Sequence, residues 1–84
     1  MDQIKVYGAD WCSMTKRTVA HLKSLNVPFD YIDVEQDLQA SEWVKQQNDG
    51  LEKKPTLAFG DGETLTEPSN GQLDEMLRRK GLLA

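Results

Sequence analysis

The chain has a single cysteine, Cys12, which lies where a predicted strand is followed by a predicted helix. The free N–H groups and the dipole of a helix N-terminus favour a thiolate over a thiol. Lys16 and Arg17, one turn further along, add positive charge, whereas Asp10 opposes them, so we expect a modest lowering of the pKa of Cys12. A thiol with a lowered pKa is also a good leaving group in thiol–disulfide exchange. The alternative is that Cys12 is a small buried apolar residue.

The sequence pattern predicts seven elements around this cysteine. Strands are expected where apolar and β-branched residues alternate, and helices where apolar residues recur every three or four positions. These rules predict strands at 3–7, 29–34, 56–59 and 63–66, and helices at 13–25, 38–49 and 70–80. Asp37 is the predicted N-cap of the second helix, and Ser69 with Gln72 forms a predicted capping box for the third. The predicted order is therefore β-α-β-α-β-β-α.

This element order predicts an α/β fold. The first two strands, joined through a helix, are expected to be parallel with a right-handed crossover, and the last two form an antiparallel hairpin around 60–62. A mixed four-stranded sheet with helices on both faces is the simplest arrangement that buries the apolar side of each element. The last strand is expected at an edge of the sheet. The predicted inward-facing helix residues are Met14, Thr18, Val19, Leu22, Leu25, Leu38, Trp43, Val44, Leu73, Met76 and Leu77.

Three segments of the chain resemble glutaredoxins. Lys5–Cys12 (KVYGADWC) is similar to the first strand and the approach to the active site, Lys54–Leu57 (KPTL) to the cis-proline segment, and Glu67–Asn70 (EPSN) to the start of the last helix. The spacing is similar to that of mycoredoxins and related actinobacterial proteins, and the resemblance covers about 4–77. It implies a thioredoxin fold and a thiol–disulfide oxidoreductase that takes part in cell redox homeostasis.

The active-site motif departs from the dithiol pattern of this family. Dithiol members carry Cys-x-x-Cys, whereas this chain has Cys12, Ser13, Met14 and Thr15 in succession. Thr15 cannot form a disulfide, so a second thiol must come from solution, as glutathione or mycothiol, or from a partner protein. The resemblance thus implies a monothiol mechanism, in which Cys12 takes the small thiol from a mixed disulfide and a second small thiol regenerates Cys12. The sequence leaves open whether Thr15 is natural or replaces a resolving cysteine.

Thr15 is the second predicted catalytic residue, beside Cys12. Its hydroxyl either donates a hydrogen bond to the thiolate or bonds locally within the first helical turn. Trp11 either covers the thiol or contacts a partner, or else it is a partly exposed loop aromatic. His21 is not a candidate base for Cys12, because nine residues of helix place it half a turn away and ~13 Å along the axis. We expect His21 to be a surface residue.

The resemblance also implies a binding site for the small thiol. Pro55 is expected to be cis, which leaves the backbone of Lys54 free to pair with the peptide backbone of the bound thiol. Lys53 and Lys54 would meet a carboxylate, the alternative being two solvated charges. Ser69 and Asn70 would hold the γ-glutamyl carboxylate at a helix N-terminus, even if Ser69 also caps that helix. The predicted substrate-binding residues are Trp11, Ser13, Met14, Lys16, Lys53, Lys54, Pro55, Ser69 and Asn70.

Length, charge and composition argue against several other classes of protein. The 84 residues suffice for one domain, 1–84, and a single cysteine excludes a zinc site built on several cysteines. A net charge of −4 argues against a nucleic-acid partner. No apolar run is long enough to span a membrane, and the first twenty residues lack a signal-peptide core, so we expect a cytoplasmic location. We further expect a monomer without metal or covalently bound cofactor, whose partners are oxidised proteins and a reductase.

Two other functions stay open as alternatives. The first is a non-catalytic binding module of thioredoxin fold, which the presence of Thr15 in place of a resolving cysteine keeps open. The second is an iron–sulfur cluster carrier. Carriers of this family have Cys-Gly-Phe-Ser, whereas Ser13 and Met14 replace the glycine and the phenylalanine here, and the longer lysine-bearing loop before the cysteine is missing. Turnover tests the first alternative, and a coloured purified protein would indicate the second.

Overall fold

The structure of the chain is a computed structural model that describes residues 3–83. Four strands and three helices follow one another in the predicted order. Their bounds are β1 (Ile4–Gly8), α1 (Ser13–Ser24), β2 (Phe29–Asp33), α2 (Leu38–Gln47), β3 (Thr56–Ala58), β4 (Thr64–Thr66) and α3 (Asn70–Arg79). The predicted ends differ from these by two residues at most. The caps explain this agreement, since Asp37 accepts a hydrogen bond from the backbone of Ala40, and Ser69 with Gln72 forms a complete capping box.

The four strands form one mixed sheet in the order β2-β1-β3-β4. The β1–β2 pair is parallel, with Val6 opposite Tyr31, and the β1–β3 and β3–β4 pairs are antiparallel, with Leu57 opposite Val6 and Leu65. The predicted parallel pair, hairpin and edge position of the last strand are therefore confirmed. The first strand lies in the interior of the sheet, so its carboxyl end delivers the β1–α1 loop to the middle of one edge of the fold.

Two apolar clusters occupy the two faces of the sheet. Ile4 and Val6 contribute to one cluster and Tyr7 to the other, as the alternation of side chains along a strand requires. The larger cluster joins α1 and α3 to the sheet and contains Ile4, Val6, Leu22, Val27, Leu57, Phe59, Leu73, Met76 and Leu77. The smaller cluster joins α2 to the other face and contains Val34, Ala40 and Val44, against which Tyr7, Ile32 and Trp43 pack. The prediction of helices on both faces is confirmed.

Helix α2 contains one residue whose predicted burial is wrong. Leu38 was expected to face inward with Trp43 and Val44, but it is 81% exposed. At 3.6 residues per turn, Leu38 lies ~120° from Val44 around the helix axis, which takes it off the buried stripe. Trp43 is half-buried, as expected, and its ring stacks on Tyr7 with centroids 4.5 Å apart.

Candidate functional site

Cys12 is the N-cap residue of α1, and its side chain makes no capping hydrogen bond. Its backbone is extended (φ −80°, ψ 118°), its N–H donates to the carbonyl of Ala9 at 3.1 Å, and its own carbonyl accepts from the N–H of Lys16 at 3.0 Å. The loop from β1 to α1 is therefore tight, and it places the sulfur at the amino end of the helix. The N–H groups of the first turn point towards this end and are available to a thiolate.

The surroundings of Cys12 favour its ionised form. Partial burial raises the pKa of the thiol, but hydrogen bonds from the side chain and backbone of Thr15 and from the backbone of Met14 lower it, and the charge of Lys54 lowers it further. The lowering contributions win, so the pKa of Cys12 lies below its ordinary value. The predicted direction of the pKa shift is confirmed, and it is the direction expected of a reactive cysteine at a helix N-terminus.

Thr15 is almost completely buried, with 2% of its surface exposed. Its Oγ1 atom has no hydrogen-bond partner within residues 3–83. The hydroxyl nevertheless lowers the pKa of Cys12, because it can donate a hydrogen bond to the thiolate. Gly8 makes this packing possible, since a Cβ atom at Gly8 would lie only 2.4 Å from Cγ2 of Thr15. No role for Gly8 was predicted from the sequence.

The cation that acts on Cys12 comes from the loop before β3. Sγ of Cys12 lies 3.8 Å from the carbonyl oxygen of Lys54, whose ammonium charge helps to lower the pKa of the thiol. The sequence pointed to Lys16 and Arg17 instead. Arg17 faces α3 instead, where its Nη2 atom donates to the carbonyl of Pro68 at 3.1 Å. Lys16 is exposed and lines a groove between α1 and β2. Helical spacing alone does not reveal which loop packs against a helix.

Trp11 is an exposed aromatic residue that is held on two sides. Its side chain is 65% exposed, its Nε1–H donates to the carboxylate of Glu35, and Nζ of Lys54 lies 4.7 Å from its ring centroid. Lys54 also forms an ion pair with Glu52 at 3.0 Å, and the hydroxyl of Ser41 donates to the second oxygen of Glu52. These two hydrogen bonds lower the pKa of Glu52. The indole ring is therefore a fixed apolar surface beside the thiol, and Glu35 and Glu52 are site residues that sequence reasoning missed.

The remaining residues beside the cysteine differ in exposure. Ser13 is exposed at the first helical position, and Met14 is half-buried behind it. The Lys54–Pro55 peptide bond is cis, as the resemblance implied, and Pro55 is buried. Lys53 is exposed and forms no ion pair within residues 3–83. Of these two neighbouring lysines, Lys54 is paired with Glu52, and Lys53 has the available ammonium group.

The start of α3 lies next to α1. Oγ of Ser69 accepts from the N–H of Gln72 at 3.1 Å, and Oε1 of Gln72 accepts from the N–H of Ser69 at 2.9 Å. Oδ1 of Asn70 is buried and has no hydrogen-bond partner among the described residues. The contact between Arg17 and Pro68 ties this helix start to α1. Ser69 is thus occupied as a cap, whereas Asn70 retains an unused acceptor.

His21 does not have the exposed position that the sequence predicted. Its Nε2 atom lies 2.6 Å from Oδ1 of Asp74, and its side chain is 18% exposed. The pair joins α1 to α3, one turn beyond the contact made by Arg17. The helical spacing correctly predicted that His21 is no partner of Cys12, but it could not show that α3 packs on this side of α1.

Residues 3–83 lack two further kinds of feature. This part of the chain contains no group of three or more His, Cys, Asp or Glu side chains arranged to hold a metal ion. None of its helices combines the length and the apolar character that a membrane span requires.

Comparisons with known proteins agree with this geometry. Residues 4–63 match the family model for glutaredoxin. Mycoredoxin 1 of Corynebacterium glutamicum is 38% identical over 81% of this chain and 84% of its own length, and a protein of Mycobacterium tuberculosis named as a glutaredoxin is 32% identical over 88% of each. The glutaredoxin of Archaeoglobus fulgidus superposes with a TM-score of 0.76 at 26% identity, covering 93% of this chain and 88% of its own. The glutaredoxin-like NrdH-redoxin of Escherichia coli shares the fold, with a TM-score of 0.75 at 20% identity and 93% coverage of both chains.

Proposed function

This chain belongs to the glutaredoxin family, and from this premise we propose that it acts by a monothiol mechanism through Cys12. The family itself supports thiol–disulfide oxidoreductase chemistry. The observation that carries the finer proposal is the thiol at the uncapped start of α1, with a lowered pKa and with Thr15 where a resolving thiol would stand. Such a site can form a mixed disulfide but cannot close an internal one.

The reaction has two exchange steps. In the first, the Cys12 thiolate attacks the small-thiol sulfur of a protein mixed disulfide, forms a new disulfide with it, and releases the protein sulfur as a thiolate that takes up a proton. In the second, the thiolate of another small thiol attacks the small-thiol sulfur that is bonded to Cys12. The two small thiols leave as an oxidised dimer, and the Cys12 thiolate is restored as the leaving group. Each cycle therefore reduces one protein sulfur and oxidises one free small thiol, whose sulfur joins the transferred one in the oxidised dimer. The lowered pKa of Cys12 makes it both nucleophile and leaving group.

The side chains around Cys12 have distinct proposed roles. Thr15 donates a hydrogen bond to the thiolate, and the backbone at Lys54 and Pro55 pairs with the peptide part of the small thiol. Lys53 supplies the ammonium group for a carboxylate, because Lys54 is engaged by Glu52 and Trp11.

The start of α3 would hold the other end of the small thiol. The backbone at Ser69 and Asn70 lies at a helix N-terminus, which suits an anionic group. Ser13, Met14 and Lys16 are further contacts proposed beside the cysteine. They flank it on α1, and Ser13 and Lys16 are exposed.

Mycothiol is the first candidate for the small thiol, and glutathione is the second. A relative with 38% identity is named Mycoredoxin 1, which favours mycothiol for this chain as well. Either cycle needs a reductase to return the oxidised small thiol to its reduced form. The mechanism also needs a reduced Cys12, which fits a reducing compartment such as the cytoplasm.

Turnover with defined mixed disulfides tests the proposal. The reduced protein would be mixed with the disulfide of mercaptoethanol and mycothiol, or of mercaptoethanol and glutathione, with the free small thiol in excess. We expect repeated turnover with one of the two pairs, a single small-thiol adduct on Cys12, and background rates in Cys12→Ser. The matched control is Thr15→Ser, which keeps the hydroxyl and should keep turnover. An adduct without turnover, with either thiol, would instead support a non-catalytic module, and full activity of Cys12→Ser would contradict the proposal.

A further inference from the structure

A groove runs along the flank of α1 that faces away from α3. It lies between α1 and the edge strand β2, and its volume is about 450 Å³. The residues that line it are Ala9, Asp10, Thr15, Lys16, Val19, Lys23, Phe29 and Tyr31. The apolar part of this lining consists of Ala9, Val19, Phe29 and the ring of Tyr31. The polar and charged side chains are those of Asp10, Thr15, Lys16 and Lys23, of which the last three lie on α1. A volume and lining of this kind are typical of a binding site.

The two flanks of α1 are used differently. Arg17 binds the carbonyl of Pro68 just before α3, and His21 binds Asp74 of α3. Lys16 and Lys23 lie on the other flank, at the rim of the groove, and neither forms an ion pair within the described part of the chain. In a protein with a net charge of −4, two unpaired ammonium groups beside one apolar groove form a local positive site.

The acidic residue in the groove does not cancel this charge at the far end. Asp10 lies at the end of the groove next to Cys12, where its Oδ1 accepts a hydrogen bond from the hydroxyl of Tyr31 at 2.8 Å. Lys23 lies at the opposite end, two helical turns beyond Lys16. The positive charge therefore increases along the groove with distance from Cys12.

One end of the groove includes the loop that leads to Cys12, and the groove has the length of a short peptide. Ala9, Asp10 and Thr15 line its first part, and they flank Cys12 on both sides in the sequence. From Thr15 to Lys23 the helix rises ~12 Å, which is the length of three to four residues of extended chain. The opposite wall is β2, whose outer edge pairs with no strand in residues 3–83 and so offers backbone groups to an extended segment.

We propose that this groove docks the protein substrate, through an extended segment next to its mixed-disulfide cysteine that carries an apolar side chain followed by carboxylates. This inference rests on the proposed function, since it assigns the protein part of the substrate whose small thiol occupies the other side of Cys12. The apolar side chain lies on Val19, Phe29 and Tyr31, and the carboxylates meet Lys16 and Lys23. Charge complementarity at the rim gives the preference for acidic segments.

Two peptides that read the same in both directions test the docking without assuming a chain direction. One is Glu-Asp-Phe-Cys-Phe-Asp-Glu and the other is Lys-Lys-Phe-Cys-Phe-Lys-Lys, each with its cysteine joined to the small thiol found to support turnover. We expect KM for the acidic peptide to rise at least ~3-fold in Lys23→Glu, with kcat unchanged, because a rim charge turns from attractive to repulsive. The basic peptide should gain in the same variant, and Lys23→Arg should behave like the unchanged protein.

Matched controls separate docking from general charge and from the chemistry. Lys5→Glu on β1 makes the same change in net charge on the other face of the sheet, where exposed Lys5 lies beside Tyr7 and Trp43, and it should leave both KM values unchanged. Turnover of the small mercaptoethanol mixed disulfide should be unaffected by Lys23→Glu. Equal effects of Lys23→Glu and Lys5→Glu, or no preference between the peptides, would overturn the docking proposal.

A binding measurement keeps this test independent of turnover. The Cys12→Ser variant would be titrated with fluorescent forms of both peptides in which serine replaces cysteine, and fluorescence anisotropy would report the affinity. We expect tighter binding of the acidic peptide, a preference that weakens with added salt and with Lys23→Glu. Equal affinity for the two peptides would overturn the docking proposal even if the protein turns over small mixed disulfides. Acid-selective binding without any turnover would leave docking standing and remove the proposed function.

Discussion

Helices α1 and α3 begin side by side, and their N-termini are built in opposite ways. Both N-cap residues have an extended backbone, at φ −80° and ψ 118° for Cys12 and at φ −71° and ψ 164° for Ser69. Ser69 and Gln72 satisfy each other's backbone N–H groups in a capping box, whereas the side chain of Cys12 caps nothing. A complete cap stabilises a helix, and an open one leaves donors for an external anion or a thiolate.

The difference shows where this small protein gives up local stability for chemistry. The backbone N–H groups that a serine or aspartate would occupy at α1 instead lower the pKa of Cys12. Around them the structure supplies support from other elements: Thr15 buried against Gly8, and Lys54 held by Glu52. At α3 the cap itself is local, within four residues of sequence, although Arg17 of α1 adds a contact at Pro68.

Replacing the thiol should have the largest effect, and it should change both activity and stability. In Cys12→Ser we expect turnover to fall to background, while the free energy of unfolding rises by about 1 kcal/mol in mildly acidic solution, because serine is a good N-cap. Turnover of mixed disulfides and urea unfolding measure the two effects. A variant that loses activity and stability together would contradict an open N-terminus at α1.

The difference in stability between the unchanged protein and Cys12→Ser should depend on pH. The pKa of Cys12 is lower in the folded protein than in the unfolded chain, so its thiolate stabilises the fold. This contribution is fully present at pH values above the ordinary thiol pKa, and it is lost as the pH falls through the lowered pKa of the folded protein. The stability advantage of Cys12→Ser should therefore shrink as pH rises across this interval. Parallel unfolding curves of the two proteins at all pH values would contradict the lowered pKa.

Removing the buried hydroxyl should have the next largest effect. Thr15→Val keeps the shape of the side chain but cannot donate to the thiolate, so the pKa of Cys12 should rise. We expect alkylation of Cys12 by iodoacetamide at neutral pH to slow roughly tenfold, since a hydrogen bond to a charged group contributes about 1.5 kcal/mol or more. In mildly acidic solution, where Cys12 is a neutral thiol, stability should not fall, because Oγ1 of Thr15 has no hydrogen-bond partner within residues 3–83. An unchanged alkylation rate would remove Thr15 from the proposed catalytic residues.

Removing the cap of α3 should affect stability alone. For Ser69→Ala we expect a loss of about 1 kcal/mol in the free energy of unfolding, the usual cost of deleting an N-cap. The alkylation rate of Cys12 should stay the same. Ser13→Ala is the matched control, because Ser13 is exposed in the first turn of α1 and its hydroxyl caps nothing. Equal losses in the two variants would show that the capping box contributes little.

The smallest expected effect belongs to Lys54. The charge of Lys54 lowers the pKa of Cys12, but Glu52 is bound to the same ammonium group and offsets part of that charge. In Lys54→Gln we therefore expect alkylation at neutral pH to slow by only about twofold, in the range of a partly exposed ion pair. Lys53→Gln is the control and should not alter the rate. A larger change with Lys53→Gln would place the wrong lysine next to the sulfur.

The features that the sequence predicted well are those set by neighbouring residues. The order of elements, the caps at Asp37 and Ser69 and the thiol at the start of α1 follow from local pattern and spacing. The resemblance to a family added the cis bond before Pro55, which residues alone would not have favoured.

The features that were missed depend on contacts between distant parts of the chain. Glu35 and Glu52 are charged loop residues with no local signal of a role, and they became visible only when Trp11 and Lys54 were seen against them. His21 was assigned to the surface for the same reason, since its partner lies on α3. Helix spacing gives the direction of a side chain, whereas its partner depends on tertiary packing.

The pH dependence of the rate at which Cys12 attacks a small-thiol mixed disulfide tests most directly whether Cys12 is a nucleophile with a lowered pKa. The adduct would be identified by mass, and the rate followed from mildly acidic to alkaline solution. We expect one small-thiol adduct on Cys12. We also expect a rate that rises with pH and reaches its plateau at a pH below the ordinary pKa of a cysteine, and this plateau should begin at a higher pH in Thr15→Val. A rate that keeps rising to the ordinary thiol pKa, or no adduct on Cys12, would contradict this expectation.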